Sequence, residues 1–458
     1  MRLSFIHIVA LILTIVLTLL PGILAARRIK SADDYNVGGR SAGAGLVAGS
    51  IIGTIVGGAA TVGTAQLGFK LGLTAWWFTL GSGIALIIMA LFYAVPLRKS
   101  GLTTVSEFLV GSYGKWAGWL ASISSSAGIF FSIVASTLTA LSLVAGIFNI
   151  SYVYAAGILM AVVMGLVFFG GISGGGMAGI IKIALIFATI FVGGVLAYGD
   201  LGGWQGVEAA FPAYPWFSLF GRGVEDGLFS LASMVVGVIS TQSYVQAIFS
   251  AKDSKTAAAG CVAAALVVIP VGLPSVMIGM FMHAQHPDIS SINALPLYLA
   301  TYLPDWLGGI GLAALMLSAF GSIAGLALGI GTMISRDIIR NLWPSAGSVD
   351  LLWANRACVF GVTLLAVFFV FCHLDSSVLE WNYLSMALRG SGIFLPLTFC
   401  VFFPGRVNRR LGVCSIAFGI ITACCWKYVA PAATNSLFAA LAANLVFLAA
   451  GLIKGNKQ

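Results

Sequence analysis

Charged residues are scarce in this sequence, and their scarcity excludes a soluble protein. Asp, Glu, Lys and Arg make up 8% of the 458 residues, whereas 60% are apolar or aromatic. Ordinary soluble domains are about 45–50% apolar and about 25% charged. Because so few polar groups cannot cover a water-exposed surface, most of the surface must face lipid. The composition therefore predicts a membrane protein that crosses the bilayer many times.

Residues that carry catalytic or metal chemistry are also few. The four histidines have no acid, base and nucleophile set around them, so we do not expect an enzyme. None of the seven cysteines has zinc-ligand spacing. We therefore expect them to act as small hydrophobic side chains that are buried in the protein. The net charge of +9 does not indicate nucleic-acid binding, because the basic residues mark loops rather than one soluble face.

Long apolar runs predict thirteen transmembrane helices, since one span needs about 20 apolar residues. No intervening stretch is long enough for a separate soluble domain. The predicted spans are 5–26, 42–69, 73–97, 117–148, 151–170, 177–199, 224–250, 256–283, 305–334, 349–372, 379–403, 411–428 and 434–453.

The loop charges predict the orientation in the plasma (inner) membrane. If the first span exits into the cytoplasm, 18 of the 23 Lys and Arg residues are cytoplasmic, as the positive-inside rule requires. The N-terminus is then outside and the C-terminus cytoplasmic, in agreement with an odd number of spans. Residues 1–26 also fit a cleaved signal peptide. The length of the apolar run and the following Arg27 and Arg28 favour a retained helix.

Glycine is abundant, at 57 residues, and two spans carry it at a spacing of four, which is one helix face. The two stripes are Gly45, Gly49, Gly53, Gly57 and Gly321, Gly325, Gly329. The adjacent pair Gly57 and Gly58 favours a helix break, whose free carbonyls need protein, water or a cation. Ser318 and Ser322 could add oxygen ligands. The alternatives are tight helix packing and serines bonded to their own helix.

Two basic residues lie inside predicted spans. Arg389 is about ten residues into its span, where an arginine usually faces a cavity or a partner. All 14 acids are predicted in loops or at span ends, so a solute carboxylate is a candidate partner. The alternatives are snorkelling or pairing with Glu380 or Asp375. Lys182 is either a positive-inside anchor or a fixed charge in place of a bound cation.

Several short motifs carry a resemblance to a known family. They are SADDYNVGGRS (31–41), GFKLGL (68–73), TTVSEF (103–108), TQSYVQ (241–246) followed by SAK (250–252), and SRDII (335–339). In this order and spacing the chain resembles the sodium:solute symporter family over about residues 28–425. Members of that family carry sugars, amino acids, carboxylates and vitamins together with sodium.

The resemblance implies an all-α fold of two inverted five-helix repeats, at 42–199 and 224–403. An extra N-terminal helix and loop (1–41) and two C-terminal helices (404–458) complete it. The second and seventh spans are expected to be broken at mid-membrane, the seventh at Gly237. The implied function is sodium-coupled symport of a small organic solute by alternating access, with no obligatory protein partner beyond the surrounding lipid.

The resemblance also implies sites. Sodium would lie between the second and ninth spans, bound by the carbonyls of Gly53, Val56 and Ser318 and by the Ser322 hydroxyl. Substrate contacts would include Ser82, the seventh span near Gly237, and Arg389, which suggests a small organic anion such as a carboxylate. These assignments follow from spacing to the motifs and are expectations.

The chain departs from the family pattern at three positions. Gly321 stands where one of two hydroxyl residues is usual, Ile55 stands where many members are polar or acidic, and Lys182 begins a stretch that often reads Thr-Asp. The Lys182 ammonium could replace sodium electrostatically. Proton-coupled or uncoupled transport therefore stays open, as does a transporter-like sensor that does not transport.

Overall fold

A computed structural model shows a chain that is almost entirely helical. It describes residues 3–26, 38–429 and 435–455, so residues 31–37 of the first motif lie outside the described residues. The helices, in chain order, are α1 (Phe5–Ala26), α2 (Ala44–Ile55), α3 (Thr64–Leu71), α4 (Trp77–Ile88), α5 (Ala94–Ser100), α6 (Val105–Tyr113), α7 (Lys115–Phe148), α8 (Tyr152–Ile186), α9 (Val192–Asp200), α10 (Gly203–Ala210), α11 (Ala213–Trp216), α12 (Val224–Ile239), α13 (Gln242–Ser250), α14 (Ser254–Gln285), α15 (Ala294–Thr301), α16 (Asp305–Met333), α17 (Arg340–Leu342), α18 (Ser348–Phe371), α19 (Val378–Phe402), α20 (Arg409–Val429) and α21 (Ser436–Lys454).

Single helices and runs of consecutive helices form segments that are long and apolar enough to cross a membrane. Within the described ranges nine qualify, or ten when the bent pair α12 and α13 is one span, and three shorter apolar helices accompany them. The predicted all-α membrane fold is confirmed. The count of thirteen spans, the division into inverted repeats and the orientation of the termini stay predictions. The predicted boundary between spans 151–170 and 177–199 is not a loop, because α8 is helical across it.

The predicted second span is broken at mid-length, as the Gly57–Gly58 pair indicates. Helix α2 ends at Ile55, and Val56 adopts φ −79° and ψ 70°, the geometry of an inverse γ-turn. The Gly57 N–H accordingly donates to the Ile55 carbonyl at 2.8 Å rather than to Gly53, four residues back. A π-helical segment, Ala59–Gly63, then leads into α3.

The predicted seventh span is also broken, but not at Gly237. Helices α12 and α13 meet at a 44° bend after Ile239. The Ser240 and Thr241 hydroxyls donate to the carbonyls of Val236 and Gly237 at 2.7 and 2.6 Å. Gly237 instead lies within α12, where a Cβ atom would collide with Met386 of α19. Its small size serves close packing, and the following hydroxyl pair stabilises the bend.

The helices that carry the sites form the centre of the bundle. Helix α7 packs against α16 and α19, while α2 packs against α8, α14 and α16. Helix α1 packs against α8 and α16, and Ser4 just before it donates to the Asp305 carboxylate at 2.6 Å. The described first helix is therefore integrated into the bundle.

One acid departs from the expectation that all acids lie in loops or at span ends. Helix α16 continues past residue 334 as the π-helical segment Ile334–Ile339, and Asp337 in that segment is buried. Its carboxylate accepts hydrogen bonds from Thr104, at 2.8 Å, and from Ser122. The segments 103–108 and 335–339, which carry the family resemblance, are thus bonded to each other.

Candidate cation and solute sites

The break after α2 places free carbonyl groups against α16. The Ser318 hydroxyl donates to the Val56 carbonyl, and the Ser322 hydroxyl donates to the Thr54 carbonyl at 2.7 Å. Both serines therefore reach across to α2 instead of bonding to their own helix. The structure brings together all four residues that were expected to bind sodium, including Gly53.

The two glycine stripes make this close approach feasible. A Cβ atom at Gly57 would collide with the Ser322 side chain, and one at Gly325 would collide with the Thr54 side chain. Backbones packed this closely bring carbonyl and hydroxyl oxygens of the two segments next to each other. The two glycine stripes therefore allow both the close packing of the helices and the formation of an oxygen-lined site.

The Lys182 ammonium lies in this oxygen-lined site. Its Nζ donates to the Gly53 carbonyl at 2.7 Å and to the Ser318 carbonyl at 3.5 Å, and the residue is 2% exposed. Gly179, one turn earlier on α8, allows the approach, because a Cβ atom there would collide with the Gly49 carbonyl. The predicted alternative of a surface anchor does not match this burial.

The residues present do not fit sodium beside Lys182. Carbonyl and hydroxyl oxygens are suitable ligands for a hard cation, but Gly53 and Ser318 already accept from the ammonium. The hydroxyls of Ser318 and Ser322 are engaged with carbonyls of α2. Two unit charges 4 Å apart repel by about 4 kcal/mol at an effective dielectric constant of 20. A sodium ion would therefore have to displace the ammonium.

The second charge, Arg389, is completely buried between α7, α12 and α19. Its Nη2 donates to the Ser132 hydroxyl at 3.0 Å and contacts the Met386 sulfur at 2.8 Å. In the part of the chain that the structure describes, its Nε and Nη1 have no hydrogen-bond partner. The ion pairs found among the described residues join other groups, so neither snorkelling nor pairing with an acid is seen.

A polar cluster that the sequence analysis did not identify surrounds this guanidinium. The Ser132 hydroxyl also bonds to Asn382, at 3.0 Å, and to Ser385, at 2.7 Å. Asn382, Ser385 and Arg389 occupy positions i, i+3 and i+7 of α19, so they share one helix face. This spacing is visible in the sequence and could have indicated the cluster.

The other two predicted substrate residues are buried but make no hydrogen bond to Arg389. The Ser82 hydroxyl donates to the Phe78 carbonyl of its own helix at 2.6 Å. Gly237 packs against Met386, three residues before Arg389 on α19. Gly237 therefore lies next to the arginine cluster, while both residues stay predicted substrate contacts.

The chain is similar to known transporters over nearly its whole length. It is 26% identical to the human high affinity choline transporter 1, over 90% of this chain and 75% of that protein. It is 24% identical to the sodium/proline symporter of Haemophilus influenzae, over 91% of this chain and 87% of that protein. A Na+-coupled sialic acid symporter, solved substrate-bound and outward-open, matches with a TM-score of 0.83 and 19% identity, covering 98% of this chain and 97% of that one.

The sequence profile of the family is more decisive than any one of these relatives. It matches residues 35–419, which include both candidate sites. The family and its relatives are transporters rather than enzymes, and they act on small-molecule solutes. The chain is a multi-pass membrane transporter and belongs to the sodium:solute symporter family.

Proposed function

We propose that this transporter carries a small organic anion, with Arg389 as the partner of the solute carboxylate. The observation that supports this most is a fully buried guanidinium with two nitrogens, Nε and Nη1, that have no hydrogen-bond partner among the described residues. A buried charge is strongly destabilising unless it is paired. A carboxylate can accept two parallel hydrogen bonds from a guanidinium and neutralise its charge.

The position of Arg389 suits a transported solute. Met386 and Gly390, which flank it on α19, pack against Gly237 and Val236 at the end of α12. The bend between α12 and α13 follows within a few residues. Broken helices at the bilayer midplane are where transporters of this kind commonly bind their substrates.

The chemistry of the relatives' named solutes divides into two classes. Proline and sialic acid both carry a carboxylate, whereas choline carries a permanent positive charge. A buried arginine repels a quaternary ammonium and attracts a carboxylate. For this chain Arg389 favours the carboxylate class, although the human relative is a choline transporter.

Transport follows if the solute has different affinities for two conformations of the bundle. The Arg389 cluster joins α7 and α19 through Ser132 and Ser385, and α19 also packs against α12. A carboxylate bound there would contact both α7 and α19. Binding could then shift the equilibrium between outward and inward states. A sensor of the same fold would bind the solute without moving it, so uptake separates these two hypotheses.

The experiment is ligand-dependent thermal unfolding of the purified protein in detergent. The ligands are acetate, lactate, proline, sialic acid and choline. We expect at least one carboxylate to raise the unfolding temperature of the wild type, because a ligand that binds only the folded state stabilises it. The effect should be absent in Arg389→Gln. It should persist in Arg222→Gln, where the arginine is partly exposed and pairs with Asp226.

The proposal is contradicted if choline stabilises both the wild type and Arg389→Gln and no carboxylate stabilises either protein. Retention of the full carboxylate effect in Arg389→Gln would also be contradictory, because the guanidinium would then not be the partner.

A further inference from the structure

We propose that Lys182 provides a covalently attached cation at the α2–α16 site, and that this transporter binds no sodium there. The inference concerns the coupling ion and does not depend on the identity of the solute. The family resemblance implies sodium at Gly53, Val56, Ser318 and Ser322. In our proposal the Lys182 ammonium occupies that site instead.

The first support is the bonding of the ammonium. Lys182 Nζ lies 2.7 Å from the Gly53 carbonyl oxygen and 3.5 Å from that of Ser318, two of the four predicted sodium donors. An ammonium group donates up to three hydrogen bonds and accepts none, so a site of oxygen acceptors satisfies it. The Gly53 carbonyl is available because the γ-turn at Val56 takes away its normal helical donor, the Gly57 N–H.

The second support is that two departures from the family pattern meet at one point. Outside its own stretch of helix, a Cβ atom built on Gly321 would have two heavy atoms of the described residues within 4 Å, the Gly53 carbonyl oxygen and Lys182 Nζ, each at 3.7 Å. A hydroxyl side chain at position 321 would therefore extend toward the ammonium. The position of the missing hydroxyl and the added lysine are therefore next to each other, at van der Waals distance.

The third support is the way α8 approaches α2. A lysine that only marks the cytoplasmic side would extend its ammonium to water or lipid headgroups. Lys182 instead points inward and is 2% exposed. Gly179 packs against the backbone of Gly49, and an added Cβ would also lie 3.0 Å from the Gly53 Cα atom. This contact places the turn of α8 that carries Lys182 next to the break that follows α2.

A fixed cation changes the energetics of transport. A dissociable sodium ion biases the bundle in proportion to its concentration, whereas an attached ammonium is present at all times. The contact between α2 and α16 would then form without any contribution from a sodium gradient. We expect solute uptake whose rate does not respond to sodium through this site.

The test is equilibrium binding of radioactive sodium to the purified protein, with potassium chloride to hold the ionic strength constant. The variants are Lys182→Ala, the double variant Lys182→Ala with Gly321→Ser, and the control Lys70→Ala, which removes an exposed lysine. We expect Lys182→Ala to bind one more sodium ion per protein than the wild type. The double variant should bind that ion several-fold more tightly because it gains a hydroxyl ligand. Lys70→Ala should match the wild type.

Equal sodium binding by the wild type and a folded Lys182→Ala would overturn the proposal. If Lys182→Ala does not fold, the wild type alone decides through hydrogen–deuterium exchange. Sodium and potassium should then give the same exchange at residues 53–58, and sodium-specific protection of that segment would be contradictory. Neither readout requires a solute, so the proposal can fail or succeed independently of the anion hypothesis.

Discussion

Arg389, the proposed partner of the solute carboxylate, lies in an unfavourable environment. Its guanidinium is buried, and the described contacts that satisfy it are one hydroxyl and one thioether. Removing one partner of a buried ion pair typically destabilises a protein by about 3–5 kcal/mol, since the remaining charge is uncompensated. A solute carboxylate would supply the missing partner, so the unloaded protein is expected to be less stable than the loaded one.

Arg389→Met should therefore retain or raise stability while abolishing carboxylate binding. Methionine keeps an unbranched apolar side chain, and an unsatisfied buried polar group costs about 1–3 kcal/mol, which the substitution removes. The measurement is thermal unfolding without solute, followed by the carboxylate titration. Arg222→Met is the control, because a partly exposed arginine should matter little. A large loss of stability in Arg389→Met would show that the arginine is a structural partner of its neighbours.

The two buried charges could be singled out from the sequence because charge is rare in the spans. The spacing of Asn382 and Ser385 places them on the helix face of Arg389, but the hydrogen bonds that they and Ser132 form could not be predicted. Ser132, Asn382 and Ser385 are small polar residues of a kind that recurs throughout these helices, and most membrane serines bond to their own helix. Which serine meets which depends on how α7 and α19 pack, and a single sequence contains no information about that packing.

Glycines set the distances between the helices that form the cation site. Gly179 of α8 has no room for a Cβ atom, because the Gly49 carbonyl of α2 occupies that position. Gly157, on the same helix, has nothing within 4 Å of the same hypothetical atom. The two glycines are a matched pair that differs in packing alone.

Gly179→Ala should destabilise the protein by about 1–3 kcal/mol, the usual effect of overpacking. Gly157→Ala should be neutral or stabilising by up to about 1 kcal/mol, because alanine is the better helix former. Unfolding of both variants in detergent is the measurement. Because the clash moves α8 away from α2, Gly179→Ala should also weaken the bond between Lys182 and the Gly53 carbonyl. Equal stability of the two variants would contradict the proposed close contact.

The two helix breaks show what glycine can and cannot indicate. The Gly57–Gly58 pair predicts the break after α2 correctly to within two residues, since it lies beside the γ-turn at Val56. Gly237 was wrong as the break in α12, because a neighbouring helix rather than a turn requires its small size. The bend instead lies at Ser240 and Thr241, whose hydroxyls donate to the carbonyls of Val236 and Gly237. The Thr241 N–H donates to the Val238 carbonyl, so the Thr241 hydroxyl supplies the hydrogen bond that the Gly237 carbonyl would otherwise lose.

At the scale of the whole molecule, hydropathy alone predicts a bundle of many membrane helices. It does not predict that the second and ninth spans meet, because apolar surfaces pair with lipid as readily as with each other. The family resemblance supplied that pairing, and the contacts between α2 and α16 agree with it. The buried bond between Asp337 and Thr104 was missed because the π-helical segment extends α16 beyond its apolar run.

The whole account places one fixed positive charge in each of two buried sites. Arg389 lies between α7, α12 and α19, and Lys182 lies in the oxygen-lined site between α2 and α16. In the two proposals, the first charge selects an anionic solute and the second removes the need for a sodium ion at this site. Together they describe a member of a sodium symporter family that moves a carboxylate without sodium at this site.

The most direct test is the initial rate of solute uptake into proteoliposomes, with an inward sodium gradient or with potassium alone. The solute is the carboxylate that stabilises the purified protein, and choline is the comparison. The account predicts carboxylate uptake at the same rate in both ionic conditions, loss of that uptake in Arg389→Gln, and no choline uptake. Uptake that requires the sodium gradient, or choline uptake that survives Arg389→Gln, would contradict it.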